Sequence, residues 1–218
     1  MPMFSTSFTF NDLLFMLQGG WVTLKLTMWA MLIGTVAGTF CGFLRASLPG
    51  LTTPLGWLLD VFRCVPLLIQ FVLVNAVKSI LEIDITAFAV GCLVLGIYSA
   101  AYCTEVVRGG ILAVPGNVVR AARSLGLTYF QTIRYIVAPM ATRVSFPGWI
   151  NLALGIMKDS SLVLWIGIIE LLRSSQTIVT RIQEPLFVLC IAGAIYYFMS
   201  LGISRVGAVV ERRWKEND

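Results

Sequence analysis

The segment Pro185–Val206 reads PLFVLCIAGAIYYFMSLGISRV, and its only charged residue is Arg205 near the end. A run of about 20 apolar residues can cross the hydrocarbon core of a bilayer as a helix. Four similar segments precede it: Gly20–Leu44, Pro54–Val77, Thr86–Gly109 and Val144–Leu172. Lipid offers no partner for backbone polar groups, and nothing in these segments alternates like a barrel strand. The sequence therefore predicts an all-α polytopic membrane protein with about five spans.

The composition of the whole chain agrees with a lipid environment. Hydrophobic residues make up 58% of the 218 residues and charged residues 12%, with a mean hydropathy of +0.87. A soluble domain has about 45–50% apolar and about 25% charged residues. We therefore expect residues 1–218 to form one membrane domain. The stretch Met1–Asn11 carries no Lys or Arg, so we expect the first segment to be a retained span and not a cleaved signal.

The basic residues predict the orientation of the chain. With the N-terminus outside and five spans, most of the 16 basic residues lie at or near the cytoplasm, as the positive-inside rule requires. These residues are Arg45, Arg63, Arg108, Arg120, Arg123, Arg134, Arg143, Arg205, Arg212, Arg213 and Lys215. Lys78, Arg173 and Arg181 fall outside, and Lys25 and Lys158 lie within apolar segments. This bias accounts for the net charge of +5 without a nucleic-acid partner.

Several classes of site have no matching residues. The chain has no His, and its five Cys lie in apolar stretches without a CxxC pair, so we expect neither a metal site nor a disulfide framework. No GxxxxGK[ST] loop is present to bind nucleotide phosphates. The GxSxG and HExxH patterns of serine and metal hydrolases are also absent. The chain is therefore expected to be neither an intramembrane protease nor an ATPase.

The longest polar stretch, from about residue 110 to 143, follows the third span on the predicted cytoplasmic side. Within it, Arg120–Pro139 reads RAARSLGLTYFQTIRYIVAP. Helix-forming residues come first, and glycine then allows a left-handed turn that ends the helix. We expect a short helix, a sharp turn at Gly126 and a second amphipathic stretch over Tyr129–Val137.

This loop resembles the EAA loop of the permease subunits of ATP-binding-cassette (ABC) importers. That pattern reads EAA, three residues, Gly, nine residues, then Ile, one residue, Leu and Pro. The positions that match are Ala121, Ala122, Gly126, Ile136 and Pro139. Arg120 stands where the family has Glu, and Ala138 where it has Leu. The contact made by that Glu must therefore differ here, and a complementary change in the partner is one remedy.

Other stretches resemble the polar amino acid permeases of the histidine, glutamine and arginine type. They are Thr23–Thr27 (TLKLT), Phe62–Gln70 (FRCVPLLIQ), Ala101–Pro115 (AYCTEVVRGGILAVP) and Lys158–Leu162 (KDSSL). Their order and spacing extend the resemblance from about residue 20 to the C-terminus. One such stretch alone would be weak support, whereas all of them together favour this family strongly.

The resemblance implies a permease subunit of an ATP-driven importer for polar amino acids, or analogues such as opines, in the bacterial cytoplasmic (inner) membrane. The implied partners are two ATPase subunits that hold ATP and Mg, a second permease chain, identical or homologous, an extracytoplasmic solute-binding protein and membrane lipid. This chain itself would hold no cofactor. The residues implied in coupling to the ATPase are Arg120, Ala121, Ala122, Gly126, Leu127 and Pro139. The alternatives are an importer of another small polar solute and an ion-coupled carrier, which would transport without ATP.

Charges inside a membrane are costly, so each one is a candidate for function. Asp159 lies between Lys158 and Ser160 in the fourth segment, which is longer than the bilayer core requires. A helix break near Gly155–Ser161 would shorten the span and expose backbone groups to a zwitterion. Asp159, Lys158 and Ser160 are therefore candidate substrate contacts, and a local Lys158–Asp159 ion pair is the alternative.

Four further residues are candidates with a structural alternative each. Glu105 lies three residues before Arg108, which predicts an internal ion pair, and the resemblance implies that it also meets the substrate amino group. Arg63 either reaches the inner interface or binds a carboxylate in the pathway. Asn75 and Tyr98 either line the pathway or bond a neighbouring helix.

The predicted orientation can be tested by labelling single cysteines in a background without the native five. A membrane-impermeant thiol reagent added to intact cells should label Ser5→Cys and leave Asn217→Cys unlabelled, because only the first would face outward. Lysed cells provide the control, since both positions should then react. Labelling of position 217 alone in intact cells would reverse the topology.

Overall fold

The computed structural model describes residues 7–216, apart from the side chain of Lys215, and every element in that part of the chain is helical. Positions 5 and 217, chosen above for labelling, lie outside the described residues. The α-helices, in chain order, are α1 (Phe10–Ser47), α2 (Thr53–Cys64), α3 (Leu67–Ile80), α4 (Ala87–Leu112), α5 (Gly116–Ser124), α6 (Tyr129–Thr132), α7 (Ala138–Asp159), α8 (Leu171–Ile182) and α9 (Pro185–Glu216). A π-helical turn, Ile133–Val137, joins α6 to α7, and a 3₁₀ helix, Ser160–Ile166, follows α7.

The number of spans agrees with the sequence prediction. In residues 7–216, four helical stretches are long and apolar enough to cross a membrane: Phe10–Ser47, Ala87–Leu112, Tyr129–Ile166 and Pro185–Trp214. Helices α2 and α3 meet the same test together but are bent by 100° at their junction. Counted as one broken span, this pair is the second of five.

The second span is therefore not the uninterrupted segment Pro54–Val77 that the sequence indicated. Pro66 causes the bend, because its ring disfavours a helical conformation at the residue before it. Val65 is accordingly extended, with φ −76° and ψ 128°. Helix α3 has 14 residues. At a rise of about 1.5 Å per residue, its length is less than the bilayer core thickness of about 30 Å.

The Gln70 side chain stabilises this bend. Its amide group donates hydrogen bonds to the carbonyl oxygens of Phe62 at 2.8 Å and Val65 at 2.9 Å. Both carbonyls lie at the end of α2, where the bend removes their partners within the helix. An unpaired carbonyl inside a membrane costs several kcal/mol, so this substitute donor makes the bend possible.

The fourth span has different ends from the predicted segment Val144–Leu172. It starts at Tyr129 and stops at Ile166, before Gly167 takes a left-handed conformation with φ +87°. The α-helix itself ends at Asp159 and continues as the tighter 3₁₀ helix. This change of helix type lies where the sequence predicted a break, near Gly155–Ser161.

Helices α1 and α4 pack closely through glycines of α1. Gly34, Gly38 and Gly42 of α1 are all buried. A Cβ atom at Gly34 would lie 2.2 Å from the Ser99 hydroxyl oxygen, and one at Gly38 would lie 2.5 Å from Cys103 Cβ. Small residues permit such packing between membrane helices, where hydrophobicity alone provides no attraction.

The start of α1 and helix α8 lie on one side of the bundle. The Asp12 Oδ2 atom is 2.6 Å from Nη2 of Arg181, and Asp12 also accepts a hydrogen bond from the Thr9 backbone at 2.8 Å. An alternation of five spans requires this placement of the two segments. Which side faces the cytoplasm stays a prediction.

We expect Gly34→Val to destabilise the fold, because the added side chain would overlap α4. Overpacking of a close contact costs about 1–3 kcal/mol, which should lower the midpoint of thermal unfolding of the purified chain in detergent. Gly193→Val is the matched control, since a Cβ at Gly193 in α9 has no atom within 4 Å. Equal midpoints for the two variants would contradict the α1–α4 contact.

Candidate substrate pathway and coupling loop

Asp159 is the last residue of α7, where the α-helix gives way to the 3₁₀ helix. Its side chain is half-buried and interacts electrostatically with Lys158 and with the Tyr98 hydroxyl of α4. Within residues 7–216 it forms neither a hydrogen bond nor a salt bridge, so the local ion pair with Lys158 is not formed. An anionic group inside the membrane without a bonded partner is open to a cationic ligand.

The neighbours of Asp159 differ in their availability. Ser160 is fully buried, and its hydroxyl donates to the Met157 carbonyl at 2.8 Å, so its hydrogen bond is formed within the same helical segment. The Lys158 side chain is exposed. Asn75 of α3 is half-buried, and its side chain forms no hydrogen bond within residues 7–216, while its backbone carbonyl accepts from the Ser79 hydroxyl at 3.0 Å.

Tyr98 is paired with a residue that the sequence analysis did not single out. Its hydroxyl lies 3.4 Å from that of Tyr102, one turn later on α4, and the two ring centroids are 4.9 Å apart. The Tyr102 hydroxyl also donates to the Arg63 carbonyl at 3.5 Å. The Arg63 guanidinium lies 5.4 Å from the centre of the Tyr102 ring, a distance at which a cation is attracted to the ring.

Glu105 forms the predicted ion pair with Arg108 and two further contacts. Oε2 accepts from Nη2 and Nε of Arg108 at 2.8 and 2.9 Å. Oε1 accepts from Arg45 of α1, and Nη1 of Arg63 lies 4.0 Å away. Three guanidinium groups thus surround one carboxylate. A substrate ammonium could reach Glu105 only by displacing one of them.

Arg63 lies between the tyrosines and this cluster. It also forms a salt bridge with the exposed Asp60 at 3.2 Å, and its Nε atom is buried without a hydrogen-bond partner in the described residues. These contacts hold the Arg63 guanidinium beside Asp60, Glu105 and the Tyr102 ring. The described polar groups form a line in the order Asp159, Tyr98, Tyr102, Arg63 and Glu105.

A second polar cluster was not predicted. Glu170 is fully buried after the fourth span and accepts from the backbone N–H groups of Leu172 and Arg173 at 2.8 and 2.7 Å, so it caps α8. The Tyr196 hydroxyl donates to it at 3.1 Å. Burial raises the pKa of the Glu170 carboxyl above its usual range. Ser, Thr, Asp and Asn are the usual residues at a helix N-cap, so a Glu at this position did not indicate a helix start in the sequence.

The loop between the third and fourth spans has the expected helix and turn. Helix α5 ends before Gly126, which has φ +89°. The N–H of Gly126 donates to the Arg123 carbonyl at 3.0 Å, and the N–H of Leu127 to the Ala122 carbonyl at 3.2 Å. This pair of bonds is a Schellman motif, which requires a left-handed residue and explains the glycine. A Cβ at Gly126 would meet no atom within 4 Å. The left-handed backbone conformation, and not a lack of space, therefore favours glycine at this position.

The predicted coupling residues are not equally accessible. Arg120 and Ala121 are exposed, whereas Ala122 is buried against the chain itself and Leu127 is half-buried. Pro139 is exposed and does not end the second helix, as a proline often does. The π-helical turn Ile133–Val137 precedes it, and such a turn changes the backbone bonding where Pro lacks an N–H.

A cavity of about 350 Å³ lies between α1, α4 and α7. Its lining is mainly apolar and includes Thr35 and Trp149, whose indole N–H donates to the Thr35 hydroxyl at 2.8 Å. None of the predicted substrate residues lines it.

Residues 34–216 match the family described as binding-protein-dependent transport system inner membrane component. The chain is 30% identical to the arginine transport system permease protein ArtQ of Bacillus subtilis (strain 168), over 97% of this chain and 98% of that protein. It is 28% identical to the putative glutamine transport system permease protein GlnP of Rickettsia conorii, over 94% of each.

Two solved structures share the fold. An amino acid ABC transporter crystallised with histidines superposes with a TM-score of 0.84 and 31% identity, over 95% of this chain and 99% of that one. The MetNI methionine ABC transporter in an inward-facing form gives a TM-score of 0.80 over 94% and 99% of the two chains. Its identity is 20%, so this second likeness concerns the fold alone.

Glu105→Gln should weaken the packing of α1 on α4, because it leaves Arg45, Arg63 and Arg108 close together without a carboxylate. A hydrogen bond to a charged group contributes about 1.5–3 kcal/mol, and we expect a loss of this order in the free energy of unfolding in detergent. Asp60→Asn removes an exposed partner of Arg63 and should change stability by less than about 0.5 kcal/mol. Equal stability of both variants would contradict a structural role for Glu105.

Proposed function

Because the chain belongs to the family of binding-protein-dependent transport system inner membrane components, we propose that it is the permease subunit of an ABC importer for a polar amino acid or a close analogue such as an opine. It is a multi-pass protein of the bacterial inner membrane. The observation that carries the substrate class is the end-to-end similarity to permeases named for arginine and glutamine transport.

Asp159 is the proposed contact for the substrate ammonium group. Every free amino acid carries this cation at neutral pH, and Asp159 is a half-buried carboxylate without a bonded partner among residues 7–216. It lies at the end of α7, beside the change of helix type. The Tyr98 hydroxyl, which lies within electrostatic range, completes the polar wall on the α4 side.

Arg63 is the proposed contact for the substrate carboxylate as the solute moves toward the inner end. Its unpaired Nε and its position beside Tyr102 support this role. Glu105 holds Arg63 and its neighbours in place, and its own contact with an ammonium group would be transient. Asn75 and Lys158 line the route with polar side chains, and Ser160 supports it from within its helix.

The energy for transport comes from a separate ATPase, since the chain has no loop that binds nucleotide phosphates. ATP and Mg would be held by a pair of such subunits. The loop containing Ala121 and Gly126 is the proposed coupling element. Pro139 lies near the start of the fourth span, which this loop would move. A second permease chain and an extracytoplasmic solute-binding protein complete the proposed importer.

Asp159→Asn should keep the fold and weaken transport. Losing a charged hydrogen bond of about 1.5–3 kcal/mol corresponds to a rise of about 10- to 100-fold in the substrate concentration for half-maximal uptake. The assay is ATP-dependent uptake of labelled amino acids into vesicles that contain the whole importer.

Asp84→Asn makes the same chemical change in the exposed loop between α3 and α4 and should behave as wild type. Normal uptake by Asp159→Asn would exclude Asp159 from the substrate site. Uptake that persists without ATP would instead support an ion-coupled carrier.

A further inference from the structure

The cavity between α1, α4 and α7 has no role in the proposed pathway. Its volume of about 350 Å³ is within the range of about 300–1,000 Å³ for small-molecule sites. On α4 it is lined by Cys103 and Val107. The polar line uses Tyr98 and Tyr102, which lie on another face of the same helix, because successive helical residues are turned by about 100°. The cavity is therefore a separate feature that can hold a different ligand.

The cavity lies within one half of the bilayer. Its lining extends from Thr35 to Phe43 on α1 and from Cys103 to Ile111 on α4, in each case about two helical turns, or about 12 Å. Half of a hydrocarbon core of about 30 Å is about 15 Å. Both stretches belong to the C-terminal parts of spanning helices. The cavity thus lies in the half next to the loop between the third and fourth spans, and its length suits an acyl chain of one leaflet.

The cavity opens to the surface of the bundle. Thr39, Ala138 and Thr142 belong to its lining and are exposed, and all three are part of spanning stretches. The medium around a spanning stretch is lipid, whose chains are as apolar as a leucine side chain. An acyl chain can therefore enter the cavity from the side.

The polar groups around the cavity are already bonded within the chain. The Thr142 hydroxyl donates to the carbonyl one turn earlier at 2.7 Å, and the Ser145 hydroxyl donates to the Val106 carbonyl at 3.1 Å. The Trp149 indole donates to the Thr35 hydroxyl. A trapped water needs about two to four polar partners, which favours an apolar occupant here. Such an occupant also supplies the dispersion contacts that the walls of an empty cavity lack.

An unpaired cation lies beside the loop end of the cavity. Arg134 directly follows Ile133, which lines the cavity, and precedes Ala138 by about one turn. Its side chain is exposed and forms neither a hydrogen bond nor a salt bridge within residues 7–216. Arg108, at the same end of α4, is instead bound to Glu105. A free guanidinium next to an apolar cavity complements a phosphate group that carries an acyl chain.

We propose that this cavity binds one acyl chain of an anionic phospholipid and that Arg134 binds the phosphate of the same lipid. The site is separate from the solute pathway and does not depend on which solute the chain carries. Helix α9 is a more suitable surface than the cavity for a second permease chain, because it has a long apolar stretch in which only 11% of the residues are buried.

The acyl-chain site can be tested by photolabelling the whole importer in phosphatidylcholine vesicles that contain a small fraction of phosphatidylglycerol with a diazirine in one acyl chain. Mass spectrometry should locate the label on residues that line the cavity. Thr142→Trp and Thr39→Trp fill the cavity from α7 and from α1, and each should lose most of this labelling. Val144→Trp is the matched control, since Val144 is exposed on α7 outside the lining, and it should be labelled as wild type. Unchanged midpoints of thermal unfolding in detergent would show that the variants are folded.

The headgroup is tested with a phosphatidylcholine that carries the same diazirine. Wild type should take up about fivefold more label from phosphatidylglycerol, which is the factor that one arginine near a membrane surface contributes. This preference should fall as salt is added, because the attraction is screened. Arg134→Gln should abolish the preference, whereas Arg173→Gln makes the same change at an exposed position of α8 and should keep it.

Three results would contradict the proposal. Label found only outside the lining, or equal labelling of Thr142→Trp and Val144→Trp, would overturn the acyl-chain site. If Thr142→Trp separates the two permease chains and Val144→Trp does not, the cavity is a protein interface and the proposal is wrong. Equal labelling of wild type by the two lipids would overturn the assignment of an anionic headgroup. The proposed function is tested separately by the uptake assay and is unaffected by each of these results.

Discussion

A backbone carbonyl inside a bilayer must find its hydrogen-bond donor within the protein, and the architecture of this chain follows from that requirement. Helices meet it along most of the sequence. Where Pro66 interrupts the second span, the Gln70 amide provides the missing donors for Phe62 and Val65. Where the fourth span changes from α to 3₁₀ geometry, the backbone keeps its hydrogen bonds within the helix. The Asp159 side chain is left there without a hydrogen-bond partner among residues 7–216. Irregular structure is confined to positions that have such a solution.

Close contact between α1 and α4 fixes where the polar groups lie. The glycines of α1 bring the two backbones together at Ser99 and Cys103, and near the C-terminal end of α1 Arg45 reaches Glu105 across the same interface. Helix α4 also carries Tyr98 and Tyr102, so the packing that stabilises the bundle holds the proposed pathway in position. The proposed substrate residues on α4 are thus part of the structural framework and not of a loop.

The sequence predicted local features better than long-range contacts. The number of spans, the Gly126 turn and the Glu105–Arg108 pair depend on residues close in the chain, and these were predicted correctly, whereas the fourth span has other ends than the sequence indicated. The bend at Pro66 was missed because apolar residues continue on both sides of the proline, so the whole run has the length of one span. The contact of Arg45 with Glu105 joins two spans 60 residues apart, and the burial of Ala122 depends on tertiary packing, so neither leaves a local signal.

The excess of arginine around Glu105 has a consequence for the orientation of a moving solute. Arg45, Arg63 and Arg108 carry three positive charges beside the carboxylates of Glu105 and the exposed Asp60, so this end of the polar line has an excess of positive charge, whereas Asp159 places a carboxylate at the other end. A zwitterion is an electric dipole, and on the proposed pathway its carboxylate would turn toward the arginines and its ammonium group toward Asp159. A solute that lacks either charge would then enter this pathway without a fixed orientation.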